Sequence, residues 1–378
     1  MPSAGTGHTC YFCSDGAVVA VGTNEAGQCN IPVLEEGAMY RQVAAGAYHT
    51  VLVRSDGVAV ACGWNGYGQC TFPALEQGKA YVHAAVGQAH TVLICSDGSA
   101  IAGGGNEFGQ CNLPVLEVGM AYMQADAGDN HTVLLRSDGA AVACGEIVWG
   151  QCTLPALEEG MTYTQVAVGD VHTVLLRCDG AAVACGDNEE GGCDLPELEE
   201  GTIYTQVVAG CGHTILLRSD GAAVACGRND WGQCNLPAME EGTTYVQVAA
   251  GMVHTVVLRS DGETVVRGCN EQGQCNVPAL EAGVYIISSS QPDLVVQLFI
   301  KAVAGTIEVD CRNLSGEQLA SWIVPDKASH VKQCIQQELA PIYQRLFVVL
   351  PDGRLVGAKL TWQHLWCELS MPAYYNEL

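Results

Sequence analysis

The sequence predicts a mainly β protein, a closed ring of seven small antiparallel sheets followed by a small α+β domain, and three observations predict it. Seven histidines, His8, His49, His90, His131, His172, His213 and His254, recur at a fixed interval of 41 residues. Everything around each histidine repeats with it, so one supersecondary unit has been copied in tandem. Inside a copy, short runs of Val, Ile, Leu and Ala are bounded by Gly, Asp or Asn, which is the patterning of strands and turns rather than of helices. Near Ser290 the repeat stops and a different composition begins.

The elements of one repeat follow in order from Val207. Val207–Ala209, Thr214–Leu217 and Ala222–Ala225 read as strands. An Asp-Gly pair separates the second from the third, as at Asp56-Gly57 and Asp220-Gly221. Asp-Gly suits a two-residue hairpin turn, whose central positions need positive φ. A proline follows in each copy (Pro32, Pro73, Pro114, Pro155, Pro196, Pro237 and Pro278), as on an outer edge strand. A copy is therefore a four-stranded sheet too small to stand alone, and it has the size of a propeller blade. Seven blades packed radially cover every sheet face; a right-handed solenoid is the competing arrangement. The chain starts mid-repeat at Pro2-Ser3-Ala4-Gly5, without the strand that Gln42–Ala45 supplies in the next copy. Residues 284–300, comprising Val284–Ser288 and Leu294–Ile300, read as a decayed half-repeat that supplies it.

The pattern V-A-A-G-x-x-H-T-V-L-L-R-S-D-G, then A-C-G-x-N-x-x-G-Q-C-x-x-P, resembles the repeats of the regulator of chromosome condensation (RCC1) superfamily. The resemblance covers residues 1–290 in seven copies. The short period and the Gly-Gln-x-x-x-Pro ending are closer to short-repeat members, such as the propeller inhibitor of β-lactamases. In those relatives one end of the ring binds the partner. The founding member's nucleotide-exchange activity depends on a wedge inserted into one blade, and no insertion breaks the period here.

In the C-terminal segment, Thr306–Asp310 and Leu319–Val324 read as strands around a turn at Leu314-Ser315-Gly316. Pro325-Asp326 then starts a helix with Asp326 as N-cap. Val331, Cys334, Ile335 and Leu339 fall on one face of that helix. Gln344–Val349 is a third strand before a turn at Pro351-Asp352-Gly353. This ββαβ order, with Gln344-Arg345-Leu346 entering the strand and Asp352-Gly353-Arg354 after it, resembles a ubiquitin-like β-grasp domain over residues 305–369, with 370–378 a tail. Leu360–Leu369 represents the last strand poorly, so the domain is incomplete. The chain ends Asn376-Glu377-Leu378 without the diglycine of a conjugated tag, which implies an integral domain. The resemblance places Phe347 where ubiquitin has the central isoleucine of its recognition patch; a plain core aromatic is the alternative.

Net charge is −25, from 41 acidic and 16 basic side chains. Nucleic acid is therefore excluded as a partner, and a basic protein is favoured. The pairs Glu35-Glu36, Glu158-Glu159, Glu199-Glu200 and Glu240-Glu241 suggest an acidic rim or simply a solvated surface. No apolar run reaches the length of a membrane span, and Met1–His8 does not read as a secretion signal. The 20 cysteines then sit as free thiols in a reducing compartment, cytoplasmic or nuclear, in a protein expected to be a monomer.

The histidines tempt a metal or catalytic reading, but they stand in seven different blades, and a bond to backbone of their own or the next blade is the simpler role. Cys29, Cys70, Cys111, Cys152, Cys193, Cys234 and Cys275, with Cys62, Cys144, Cys185 and Cys226 eight residues before a member of that set, lack zinc-knuckle spacing. Buried thiols filling gaps are expected, with no metal and no cofactor. No nucleophile or acid pair breaks the repeat, so no catalytic residue is assigned. What does vary is the loop before Gly-Gln-Cys. Its last residue is Ala26, Tyr67, Phe108, Trp149, Glu190, Trp231 or Gln272, and Trp64 lies in the same kind of loop. Aromatics flanked by acids around one mouth of a ring suit protein recognition.

The expectation is thus a non-enzymatic interaction protein whose partner-binding residues are Trp64, Tyr67, Phe108, Trp149, Trp231 and Phe347, its C-terminal domain docking to ubiquitin-pathway components. The alternatives are a substrate-recruiting component of a HECT-type (HERC-like) ubiquitin ligase without the catalytic domain, and a small-GTPase regulator. The Gly-Trp-Arg-His-Thr motifs of the superfamily's ultraviolet receptors are absent.

Overall fold

The computed structural model describes residues 2–35, 38–239, 242–280 and 286, and the strand residues 294–303, 306–313, 318–325, 346–349 and 355–356. The chain divides into two units, Met1–Ser290 and Gln291–Leu378. The first unit is seven antiparallel sheets in sequence order, each of three strands. Blade 1 comprises β1 (Ser3–Ala4), β2 (His8–Phe12) and β3 (Val18–Gly22); blade 2, β4 (Tyr40–Ala45), β5 (His49–Arg54) and β6 (Ala59–Gly63). Blade 3 is β7 (Tyr81–Val86), β8 (His90–Cys95) and β9 (Ala100–Gly104); blade 4, β10 (Tyr122–Ala127), β11 (His131–Arg136) and β12 (Ala141–Gly145). Blade 5 is β13 (Tyr163–Val168), β14 (His172–Arg177) and β15 (Ala182–Gly186); blade 6, β16 (Tyr204–Ala209), β17 (His213–Arg218) and β18 (Ala223–Gly227). Blade 7 is β19 (Tyr245–Ala250), β20 (His254–Arg259) and β21 (Thr264–Gly268).

Two details of the blade differ from the sequence expectation. Among the described residues no fourth strand forms at the prolines. That segment is an irregular connection, and its carbonyl at Pro32 accepts the hydroxyl of Tyr40 at 2.6 Å, a contact repeated at Pro73, Pro114, Pro155, Pro196 and Pro237. A tyrosine thus clips the connection where a proline cannot donate to a ladder. The Asp-Gly turn is also one residue longer than expected. Gly57 N donates to Arg54 O at 3.0 Å, and Arg54 N to Val58 O at 2.8 Å. This is a three-residue loop: a type I turn, then Gly57 at φ 81°. Asp56 Oδ1 secures it by accepting from Val58 N at 3.1 Å.

The first strands lie innermost and approach one another around the ring, β4 with β7, β7 with β10, and so on to β19 with β1. Middle strands are buried along almost their whole length, and apolar clusters form between blades: Val51 and Val53 of blade 2 pack with Tyr81, Ala84 and Leu93 of blade 3. The ring closes. Met252 N of blade 7 donates to Gly5 O of blade 1 at 3.2 Å, as Thr6 N does to Gly46 O one blade on. Ser3 and Ala4 supply only the end of blade 1's inner strand, pairing with Cys10 and Thr9. Its start is filled by Ile286, which bridges Cys13 as Tyr40 pairs with Arg54 one repeat later. Buried Ile286 packs with Tyr11, Ala249, Val256 and Leu258. Leu294–Ile300, expected to share this task, instead belongs to β22 in the second unit.

The second unit contains a mixed sheet in the order β24 (Gln318–Pro325), β23 (Thr306–Asn313), β22 (Leu294–Val303), β25 (Leu346–Val349), β26 (Leu355–Val356). Its central strand β22, which precedes the expected domain start at 305, pairs antiparallel with β23 and parallel with β25. Phe347 lies on β25, in register with Val295. The expected helix after Asp326, the turns at 314–316 and 351–353 and the tail 370–378 lie outside the described residues.

Candidate interaction face

Each blade has two unlike ends. The Asp-Gly loops form one, the turn end. The other, the loop end, carries the short loop between first and second strands and the longer one after the third. At the loop end a seam of hydrogen bonds joins every blade to the next. His8 Nε2 lies 2.8 Å from Thr50 Oγ1, and the same contact runs through His49–Thr91, His90–Thr132, His131–Thr173, His172–Thr214 and His213–Thr255 to His254–Thr9 at 2.7 Å. The partner is a hydroxyl of the next blade rather than the backbone group expected. Thr50 donates its own proton to Gln28 O at 2.8 Å, and five other threonines of the ring do likewise. A hydroxyl has one proton, so the imidazoles facing these six threonines are assigned the Nε2–H tautomer and donate to the threonine oxygen. The imidazole Nδ1 is buried without a partner in all seven copies. Burial holds His49, His131 and His254 down to about 3 and the other four to about 4, so the ring is neutral at pH 7.

The same threonines anchor the variable loop, because Gln28 O and its equivalents sit at its base. Within blade 2, the amide oxygen of buried Gln69 accepts from Tyr67 N at 3.0 Å, and Asn65 Oδ1 accepts from Cys70 N at 2.8 Å. Gln151 and Gln233 hold Trp149 and Trp231 in the same way, each at 3.0 Å. The loop backbone is therefore fixed from below, and its last residue projects from a rigid frame. Those side chains are not folded away: relative exposure is 54% for Tyr67, 49% for Phe108 and Trp149, and 46% for Trp231. Trp64, at 39%, stacks edge-on against Tyr67 at 5.1 Å and against Tyr48 at 6.3 Å. In blade 4 the Asn clip is replaced by Ile147, and both Ile147 and Val148 are well exposed.

The Glu199-Glu200 pair does not flank these aromatics. Glu199 grips Arg218 at 2.6 Å beside the loop at Asp220, which places this pair at the turn end. Glu36, Glu240 and Glu241 lie outside the described residues. The loop end has its own carboxylates, which sequence reading passed over because they occupy no fixed repeat position. The seven loops from 23–26 to 269–272 hold eight, Glu25, Glu107, Glu146, Asp187, Glu189, Glu190, Asp230 and Glu271, against one cation, Arg228. Arg228 is already paired with Asp230 at 2.8 Å. Nearer the axis stand Asp129 and Asp170 on adjacent blades. Burial and the neighbouring Asp170 and Glu146 raise the Asp129 carboxyl well above the ordinary carboxylate range.

The cysteines are consumed locally. Cys29 Sγ donates to Thr23 O at 3.2 Å, and Cys62 Sγ to Gln28 O at 3.3 Å. Burial pushes Cys62, Cys144, Cys185 and Cys226 up to about 12. The cysteines from Cys10 to Cys275 are free thiols. Among the described residues no helix is long and apolar enough to cross a membrane.

The RCC1 repeat family model matches residues 40–69 and 163–191, segments that each begin at the buried Tyr of an inner strand and end within the Gly-Gln-Cys loop or at the Gly191 position equivalent to it. No curated protein matches the sequence. Among solved structures, human WBSCR16 is similar at 17% identity with a TM-score of 0.57, over 68% of this chain and 86% of its own. The ectodomain of the Physcomitrella patens receptor kinase CR4 is similar at 16% identity and 0.56, over 81% and 78%. The CRINKLY WD40 ectodomain of the Arabidopsis thaliana receptor kinase ACR4 gives 17% and 0.56, over 73% and 98%. Two segments of the chain thus match the RCC1 repeat, and the first unit is a ring of seven three-stranded blades, a propeller closed through Ile286 and the His254–Thr9 bond.

Proposed function

We propose that this protein is a non-enzymatic interaction scaffold that holds a protein partner on the loop end of its propeller. The observation that carries the reading is the exposure of Tyr67, Phe108, Trp149 and Trp231 on loops fixed from beneath. Large aromatics on a preorganised backbone lose little entropy on binding and dominate interface energies. The repeated imidazoles are buried and bond across the blades, and the repeated thiols bond to backbone carbonyls, as scaffold groups do. Substituting Tyr67, Trp149 and Trp231 together by Ala is expected to abolish partner capture by the full chain. The melting temperature should stay within a few degrees, because none of the three is buried. Intact capture by the folded triple variant would place the face elsewhere.

The second unit extends this reading. Gln344-Arg345-Leu346, Phe347 and Asp352-Gly353-Arg354 support docking to ubiquitin-pathway machinery by sequence similarity. Loss of such partners on Phe347→Ala, with propeller partners retained, is the expected result. The RCC1 repeats also favour a small-GTPase partner, which nucleotide-exchange assays on purified GTPases address directly.

A further inference from the structure

The loop end is not uniform around the ring. Blades 2 to 4 present an apolar arc, Trp64, Tyr67, Phe108, Ile147, Val148 and Trp149, all exposed. The tip side chain leans onto the next blade: a Cβ on Gly105 would lie 3.8 Å from the Tyr67 ring. Glu146 and Asp187 hold in blades 4 and 5 the repeat position that Gly105 holds in blade 3, so carboxylates follow the arc as it advances. Blades 4 and 5 then hold Asp129, Glu146, Asp170, Asp187, Glu189 and Glu190 on the same end, with no Lys or Arg in either blade's two loops there. Asp129 N donates to Asp170 O at 3.3 Å across the blade boundary, which brings those two residues together near the axis. Their mutual repulsion is relieved by an incoming cation.

Resting on the interaction reading above, we propose that this sector binds a lysine- or arginine-rich protein segment carrying an apolar anchor. The anchor seats on the aromatic arc of blades 2 to 4, and the cationic side chains meet the carboxylates of blades 4 and 5. Charge complementarity fixes the occupant: an acidic or neutral segment leaves the one-signed cluster of Glu146, Asp187, Glu189 and Glu190 uncompensated beside the arc.

The test uses the full chain and a fluorescein-labelled peptide of alternating lysine and glycine around one tryptophan, with a glutamate-for-lysine version as its counterpart. Anisotropy titrations at low and moderate salt compare three folded variants. Asp187→Asn/Glu189→Gln/Glu190→Gln neutralises the sector. Glu158→Gln/Glu159→Gln/Glu200→Gln removes as many charges at the turn end. Trp64→Ala/Tyr67→Ala/Trp149→Ala strips the arc. Support is a loss of at least about tenfold in affinity for the first and third, with a shallower salt dependence for the first and little change for the second. Equal weakening by both charge variants means diffuse attraction to an acidic protein and overturns the proposal. Weakening by the arc variant alone, or tighter binding of the glutamate peptide, overturns the cationic partner while leaving the face intact. Indifference of both loop-end variants removes the face as well.

Discussion

Single residues in this ring act through where their protons go. Because six of the ring threonines give their proton to a carbonyl, the imidazole before each of them must donate, and its other nitrogen is left as a buried lone pair. His172→Ala removes a donor from Thr214 and opens a void among fully buried side chains, so a loss of about 2–4 kcal/mol in chemical denaturation is expected. The thiols differ from one another just as sharply. Cys178, which replaces the usual Ser before Asp-Gly, is exposed, and the Thr162 N–H at 3.5 Å favours its thiolate, lowering its pKa. Iodoacetamide followed by peptide mass mapping should find Cys178 alkylated well before Cys62, Cys144, Cys185 or Cys226 in native protein. Comparable rates would mean that the blade interior opens freely.

At the scale of the element, the inner strands are stitched by side chains rather than by a ladder. Gln165 Nε2 donates to Val207 O at 2.9 Å, and Gln165 Oε1 accepts from Val207 N at 3.0 Å. Gln206 and Val248 repeat the pair. Gln247 cannot complete it: the residue that matches Val248 one blade on is Pro2, which has no N–H, and Gln247 Oε1 is buried without a partner. Gln165→Ala should therefore cost about 1–3 kcal/mol, and Gln247→Ala distinctly less. Equal losses in urea titrations would count against this account. The glutamine stitch was invisible in the sequence because Gln42, His83, Gln124 and Gln165 look like polar residues at a strand start. What the residues did display was the period, the strand cores, the Asp-Gly turns and the variable aromatic loops. They overstated the blade by a strand, since a proline compatible with an edge strand is equally compatible with an irregular connection. The end to which Glu199 belongs depended on the path of that connection, which no local pattern encodes.

At the largest scale, the first unit behaves as a ring because Ser3-Ala4 and Ile286 meet in blade 1. Ile286 lies among Tyr11, Ala249, Val256 and Leu258. Ile286→Asp puts a carboxylate into that contact and is expected to lower the melting temperature by several degrees, more than the same change at exposed Ile147. The neutral histidines link the ring to pH. Their ordinary value is 6.5 and their folded values are about 3 to 4, so unfolding takes up protons and stability falls as pH drops below about 6.5. A shift of about 2.5 to 3.5 is roughly 3–5 kcal/mol per imidazole once all are titrated. Asp126, raised by burial to about 6, works in the opposite direction, as do Asp129 and Asp170, also raised chiefly by burial, but they are three groups against seven. Urea midpoints should drop steeply between pH 6.5 and 4, with cooperative loss of the ring before the folded values are reached. A flat profile over that window would mean that the imidazoles are already charged in the fold.

Seven nearly identical blades leave the backbone indifferent to rotation by one-seventh of a turn. A partner meeting only that backbone would have seven equivalent ways to sit. The loop tips lift this degeneracy: Trp149 is followed one step on by Glu190, then by Trp231, then by Gln272. Since the clamp beneath every tip but Glu190, where Gly192 replaces the Gln, uses a backbone N–H group and a buried Gln, the tip can change without disturbing the clamp. The order of tip residues therefore acts as an angular index, selecting one orientation of an asymmetric partner on a symmetric frame.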